Sequence, residues 1–594
     1  MIKRVSTKLI LSLIIKILKI VKIIMQQKTD KLALRNMEKT YSKSFLGLRP
    51  FILLLIAFTY CQNIYSQTLI KDIYDGKFGS NPTIIGEINN GFVFFASAKE
   101  TGSELWFSDG TANGTKLLKD IYPGVNGSAF NTMLVNVNAV WFFVSKAPGF
   151  QWNLWRTDGT EVGTILLMNL GSIPILGNPL ILMAKHASNL YFVYEDPFDG
   201  KELWKTDGTV LGTNRVKDIN PISGSDPMGL TSYRQHIYFF ANDGTNGNEL
   251  WRSDGTDTGT KMVKDLYVGP IGSSNNPRPS LMVFKDKLYF SAQSTHDGGV
   301  ELYMSDGTEK GTNLFMDINA ANGASSNPAL LYASSDKLYF TASDGIAGDE
   351  LWMSDGTKSG TVLLKDINAG SNGSMVSGFA SLGQKVVFNA STAISGNELY
   401  ITDGTSIGTQ MLKDINKGKL NSYASLKIMV GSKLYFSATD SLTGTELWET
   451  DGTSSGTKLQ KDFNPGMASS NITSLFLFKN EFYFSISIDK DSLGKELYKY
   501  KPVALSGFNK IEKTGNLNFY PNPVARGGTL TIDTKIKGFY SVSLLTMEGK
   551  VLLNRLCDNN EVTLELPQNM HSGMFMLKID TDSGILYKRI VVGY

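Results

Sequence analysis

Between residues 68 and 500, short apolar runs alternate with clusters of Gly, Asp and Asn on a regular beat. Leu288-Tyr289-Phe290-Ser291, Leu338-Tyr339-Phe340-Thr341 and Leu434-Tyr435-Phe436-Ser437 are three instances of one run. A weaker apolar run precedes each, such as Ser280-Leu281-Met282-Val283-Phe284. A third run follows, as in Glu350-Leu351-Trp352-Met353, and then a fourth, Val362-Leu363-Leu364-Lys365-Asp366-Ile367. Runs this short, rich in aromatic and branched residues and bounded by turn formers, predict β-strands rather than helices.

Asp-Gly-Thr sits between the third and fourth runs and recurs at Asp109, Asp158, Asp207, Asp254, Asp306, Asp355, Asp403 and Asp451, about 49 residues apart. It predicts a hairpin, because glycine accepts the positive φ that tight β-turns demand. Four strands in 40–50 residues is one blade of a β-propeller. The ends of the array carry a second argument. Lys71-Asp72-Ile73 opens it with no hairpin before, and Phe482-Tyr483-Phe484 with Glu496-Leu497-Tyr498 closes it with no Lys-Asp-Ile after. The ninth unit is therefore split, and the first strand can complete the last blade and remove the free edges. The expected fold is all-β: a propeller of about nine four-stranded blades over 67–500, with two smaller rings or an open array as the other arrangements.

The repeat, Glu-Leu-Trp followed by Asp-Gly-Thr, resembles the ELWxxDGT-repeat proteins, a family of bacterial secreted and surface proteins. Asn153 replaces the glutamate once, and Tyr303, Tyr400 and Tyr498 replace the tryptophan. That resemblance implies repeat architecture and supplies no chemistry.

After Tyr500 the beat stops. Residues 501–516 read as a linker. Beyond it come Asn518-Phe519-Tyr520-Pro521-Asn522-Pro523, Gly549-Lys550-Val551, Leu566-Pro567, Gly573-Met574-Phe575 and Lys588-Arg589-Ile590-Val591-Val592. Alternating apolar and polar residues between these turns predict a small β-sandwich over 517–594. The order of landmarks resembles the C-terminal sorting domain of the type IX secretion system. It implies the secretion machinery as a partner and the extracellular space or outer-membrane surface of a Gram-negative bacterium as the destination.

The N-terminus agrees with export. Phe51 to Phe58 is apolar behind Lys39, Lys43 and Arg49, which reads as a signal peptide ending near Ser66. Leu9 to Ile24 is apolar with Lys16, Lys19 and Lys22 interleaved; translation from Met37 accounts for this stretch better than a membrane-surface helix does. Tyr60 before Cys61 argues against lipidation of that cysteine.

The net charge of +3 hides an asymmetry. Residues 1–66 hold twelve Lys/Arg and two acids, leaving a body of about −7. An acidic body lacks the basic footprint of nucleic-acid binding. Two cysteines, Cys61 and Cys557, exclude cysteine-built zinc sites.

No catalytic, cofactor-binding or metal-ligating residue is assigned. The four histidines, His186, His236, His296 and His571, occupy unlike positions. The tryptophans of the repeat suit sugar stacking, yet a ring kept in every unit is better explained by packing between sheets. The Asp-Gly-Thr and Lys-Asp-Ile carboxylates suit calcium, yet no D-x-D-x-D-G loop is present, and hydrogen bonds from turn amides and threonine hydroxyls explain them better. Departures such as Gln151-Trp152-Asn153 and His296-Asp297-Gly298-Gly299 form no constellation. The expected function is a secreted or surface-displayed binding and adhesion module for an extracellular glycan or protein. A hydrolase or lyase acting on extracellular polysaccharide is the competing reading.

Overall fold

The structure is a computed structural model that describes residues 67–146, 151–172, 183–274, 281–296, 299–321, 323–334, 336–489 and 493–502. In the C-terminal region it describes 518–520, 524–525, 528–533, 540–545, 551–557, 561–566, 573–581 and 584–593. The expected signal peptide, Met37, Cys61, His571 and most of the linker lie outside the described residues. Those described are all β, with no helix among them.

Nine four-stranded antiparallel sheets follow one another along the chain. They span 83–119, 129–172, 183–215, 228–264, 282–316, 329–365, 377–413, 425–461 and 475–500, and are called sheets one to nine. The ninth takes its fourth strand from the other end of the array. Thr68–Lys71 pairs antiparallel with Lys495–Tyr500, Leu69 opposite Tyr498.

Sheet six shows the plan. Its strands are Ala329–Ser334, Lys337–Ser343, Asp349–Ser354 and Thr361–Lys365, each paired with the next. The second strand is buried on both faces, Leu338, Tyr339, Phe340 and Ala342 all at 1% exposure or less, because a neighbouring sheet covers each side. That is why Leu-Tyr-Phe reads as a continuous apolar run and does not alternate. The fourth strands are edges, and seven of the nine carry Lys or Arg, a charge that discourages edge-to-edge pairing.

Nine apolar layers lie between successive sheets. Phe284, Tyr289 and Phe315 of sheet five meet Leu338, Phe340 and Trp352 of sheet six. The layer between sheets nine and one has the same make-up: Phe478, Tyr483 and Leu497 pack on Phe92, Phe94 and Trp106, with Ile70 and Ile73 enclosed. The succession of sheets is therefore cyclic. First strands touch first strands, 425–430 against both 377–382 and 475–478, and 475–478 against 83–88. The first strand is thus the innermost and the fourth the outermost.

In the C-terminal region, sheets of three and five strands share one core. Leu530, Ile532, Val562 and Leu564 of the smaller pack with Val542, Leu544, Phe575, Leu577 and Ile590 of the larger. The strand pairs are antiparallel except that of Val524–Ala525 with Gly584–Gly593.

Candidate functional site

Strands that run up and down place every Asp-Gly-Thr turn at one end of its sheet. The second-to-third turns and the long loops from the fourth strand to the next sheet lie at the opposite end.

Hydrogen bonds saturate the Asp-Gly-Thr end. In sheet six Asp355 Oδ1 accepts from Thr357 N at 2.8 Å and Thr357 Oγ1 at 2.7 Å. Ser354 Oγ accepts from Gly356 N at 3.0 Å, and Thr357 Oγ1 accepts from Gly360 N at 3.0 Å. Thr361 Oγ1 donates to the Thr357 carbonyl at 2.7 Å. Gly356 has φ +89°, and a Cβ at Gly360 would lie 2.1 Å from Asp355 Oδ1. The same aspartate-to-threonine pair of bonds returns in all eight turns. Donation from these threonines holds most of the aspartates, Asp355 among them, below the usual carboxylate range. Lysines of the neighbouring sheet tie down seven of the turns. Lys365 Nζ reaches the Thr409 carbonyl at 2.6 Å, and Lys71 Nζ reaches that of Thr115 at 2.8 Å across sheets nine and one.

A buried carboxylate organises the opposite end. The glutamate of each Glu-Leu-Trp/Tyr unit is fully buried in eight sheets. Glu350 accepts from Ile367 N at 3.0 Å, Asn368 N at 3.3 Å and Ser374 Oγ at 2.6 Å, folding the loop 366–374 back over the sheet. Glu202 holds Ile219, Asn220 and Ser225 in the same way, and Glu496 holds Ile73 and Ser80. Burial raises all eight carboxyls despite these donors, Glu104, Glu249, Glu398 and Glu446 to about 7. Sheet two, with Asn153, has no such glutamate. Its fourth strand instead lengthens to Ile165–Ser172 and pairs along the whole third strand, Gln151 opposite Ser172.

The loops so held, and the second-to-third turns beside them, project apolar side chains. Among the described residues, thirteen strongly exposed large apolar residues lie in loops at this end, against four at the Asp-Gly-Thr end. Phe198 is 94% exposed, Ile222 90%, Phe78 81% and Ile346 78%. The repeat tryptophans are not among them: Trp106, Trp251, Trp352 and Trp448 are buried within the layers.

One departure from the repeat lies near the centre. Register aligns Lys427 on its first strand with Leu281, Leu331 and Phe379 in three other sheets. Its Nζ donates to the Gly378 carbonyl and, at 3.1 Å, to Asn389 Oδ1. Burial lowers this amine to about 8. Asn389, 8% exposed, stands where sheets five, eight and nine have Ser291, Ser437 and Ser485, and its Nδ2 donates to the Ala424 carbonyl at 2.8 Å. The first strands are the weakest apolar runs, so Lys427 becomes visible only when they are aligned.

His186 and His236 fall on adjacent sheets, His186 Nδ1 2.8 Å from Ser232 Oγ. Burial, then Arg252, holds His236 below its usual range. Among the described residues, no group of three or more His, Cys, Asp or Glu is placed to hold a metal ion. For calcium the Asp-Gly-Thr carboxylates are already engaged by threonine. In Asp366, Asp414 and Asp462 of the Lys-Asp-Ile units, Oδ2 accepts from a glycine amide while Oδ1 is buried without a hydrogen-bond partner.

Comparison with known proteins places residues 518–593 in the secretion system C-terminal sorting domain family. The domain is that of type IX secretion and directs the chain to the cell surface or extracellular space of a Bacteroidetes bacterium. No curated protein matches the chain. Among solved structures, the chain is similar to PorZ, an essential bacterial surface component of the type IX secretion system of Porphyromonas gingivalis. Identity is 14%, the TM-score is 0.30, and 86% of this chain and 75% of that one are covered. A prolyl endopeptidase is 11% identical with TM-score 0.35, over 61% of this chain and 55% of that one. A puromycin-hydrolysing peptidase of Mycobacterium tuberculosis is 9% identical with TM-score 0.32, over 60% and 57%.

Proposed function

We propose that residues 67–500 form a nine-bladed β-propeller of the ELWxxDGT-repeat kind that acts as an extracellular binding and adhesion module. Residues 517–594 carry it through the type IX machinery. The cyclic order of the sheets, with Thr68–Lys71 completing the ninth, supports the ring. The contrast between the two ends supports binding, and it is the observation on which the reading rests. One end repeats the same hydrogen bonds in all eight Asp-Gly-Thr turns and has a structural explanation. The other has a repeated base, the buried glutamate, beneath loops whose outer residues differ from sheet to sheet. Variable loops on a rigid frame are where propellers and other repeat folds place recognition.

A binding screen of the exported protein against extracellular glycans and surface proteins, with and without EDTA, tests this. Reproducible binding, lost on substitution of loop-tip residues such as Ile346 or Ile394 and kept on substitution of Val162 or Val210, is expected. Binding that follows the Asp-Gly-Thr end instead refutes the assignment of the site. Loss of binding with EDTA would bring calcium at the Lys-Asp-Ile carboxylates into the account.

A further inference from the structure

We propose that sheets seven and eight, where they meet at the inner rim of the loop end, bind an acidic sugar whose carboxylate pairs with the Lys427 ammonium. The inference deepens the binding reading above and rests on it.

Three departures from favourable local chemistry meet in these two neighbouring sheets. The first is Lys427. An ammonium has three hydrogens to donate, and this one gives two, to the Gly378 carbonyl and to Asn389 Oδ1 at 3.1 Å, both neutral acceptors. Burial alone shifts the amine, and no carboxylate acts on it among the described residues. A cation withdrawn from water is ordinarily paired. Space is kept for it, since a Cβ at Gly378 would lie 2.9 Å from Nζ. Gly378 is itself exposed, so the amine lies beside solvent.

The second and third are Met375 and Tyr423. Met375 leads into its first strand three residues before Gly378, and Tyr423 four residues before Lys427. Both have left-handed backbones, φ 51° and 47°. At the equivalent place, with the same conformation, sheets one, four, six and nine have Asn81, Asp226, Asn327 and Asn471. Asn and Asp tolerate that conformation, whereas a longer side chain is strained in it. Burial does not offset the strain, because Met375 is 76% and Tyr423 64% exposed. Residues kept against local preference and left in solvent mark functional positions.

Together the three define a ligand. The ammonium has one hydrogen and an unmatched charge to offer, which suits a carboxylate through a charge-assisted hydrogen bond. Tyr423 offers aromatic surface, its phenol oxygen held by Asn421 Nδ2 at 2.7 Å, and Met375 offers an adaptable thioether. A pyranose ring turns a flat apolar face to such side chains while its carboxylate reaches the amine.

The test is a saturation-transfer NMR titration of the exported protein at pH 7 with D-glucuronate, D-glucose and acetate. Glucuronate is expected to bind at least about tenfold more tightly than either of the others, the loss for each missing part being of the order of one good contact. Lys427→Leu, which puts in place the residue of Leu281 and Leu331, should keep the fold and weaken glucuronate binding at least about tenfold. Tyr423→Asn, which relieves the backbone, should weaken it too, while Leu211→Ser at the other end leaves it unchanged. A melting curve verifies that each variant is folded. No binding of glucuronate, binding no tighter than that of glucose or of acetate, or full binding by Lys427→Leu overturns the proposal. Failure of glucuronate alongside binding of another ligand through the loop tips overturns this site and leaves the binding function intact.

Discussion

Replacing Lys427 by leucine, with Asn389→Ser in the same chain, is expected to stabilise the protein. Lys427 occupies a position that is apolar in other sheets, and its amine has hydrogen bonds but no carboxylate partner. The fall from 10.5 to about 8 corresponds to about 3 kcal/mol charged against the folded state. Lysine is protonated in the unfolded chain up to 10.5, so the cost is full below pH 8 and is relieved as pH rises from 8 towards 10.5. Lys427→Leu alone removes that cost but leaves Asn389 Oδ1 short of a donor, worth about 1–3 kcal/mol. The single variant should gain about 1 kcal/mol at pH 7. The double variant, which restores the serine of sheets five, eight and nine, should gain about 2 kcal/mol once the lost bond to Ala424 is counted. Native-state hydrogen exchange in the strands Lys385–Thr392 and Lys433–Asp440 reads this locally, where global unfolding of so long an array does not. The gain should shrink at pH 10. A loss of protection above about 1 kcal/mol in the double variant would show that the amine's bonds outweigh its desolvation, and the reasoning would fail.

Three further outcomes follow from the same contacts. Gly360→Ala forces a Cβ onto Asp355 Oδ1 and should cost about 2 kcal/mol or more through the lost turn bonds, read as weaker protection of Thr361–Lys365; unchanged protection would contradict the turn geometry. The eight buried glutamates hold their protons more tightly folded than unfolded, so their stabilising contribution is full below pH 4.5 and is lost at higher pH, for Glu104, Glu249, Glu398 and Glu446 as pH rises through about 7. The protein should melt higher at pH 5 than at pH 8, and a higher melting point at pH 8 would refute it. Glu350→Ala should release the loop 366–374, costing about 3 kcal/mol and appearing as proteolytic nicking there before any cut in the strands.

Much of this fold is legible in the chain because its repeat is physical. Leu338-Tyr339-Phe340 announces a strand covered on both faces, and the positive φ of Gly356 is what Asp-Gly-Thr implies. The missing hairpin before Lys71 implies that Thr68–Lys71 joins a distant partner, and it pairs with Lys495–Tyr500. The functional end is less legible. Glu-Leu-Trp draws the eye to its aromatic ring, while the glutamate does the organising, through donors 17 to 25 residues away, or at the far end of the array for Glu496, that only the fold brings to it. Lys427 hides in the weakest run of its unit. The loop residues are silent because a lone Ile222 or Phe198 in a polar loop carries no motif.

The cyclic order of the sheets is the central claim, and removal of residues 67–74 tests it most directly. The deletion takes away the pairing with Lys495–Tyr500, the bond from Lys71 to Thr115, and buried Ile70 and Ile73, each worth about 1.5–3 kcal/mol. Hydrogen exchange should rise at both sides of the junction, in 475–500 and in 83–119, while sheets four to six keep their protection. Loss confined to 475–500, with 83–119 as protected as before, would mean that the ninth sheet does not pack on the first and that the array is open.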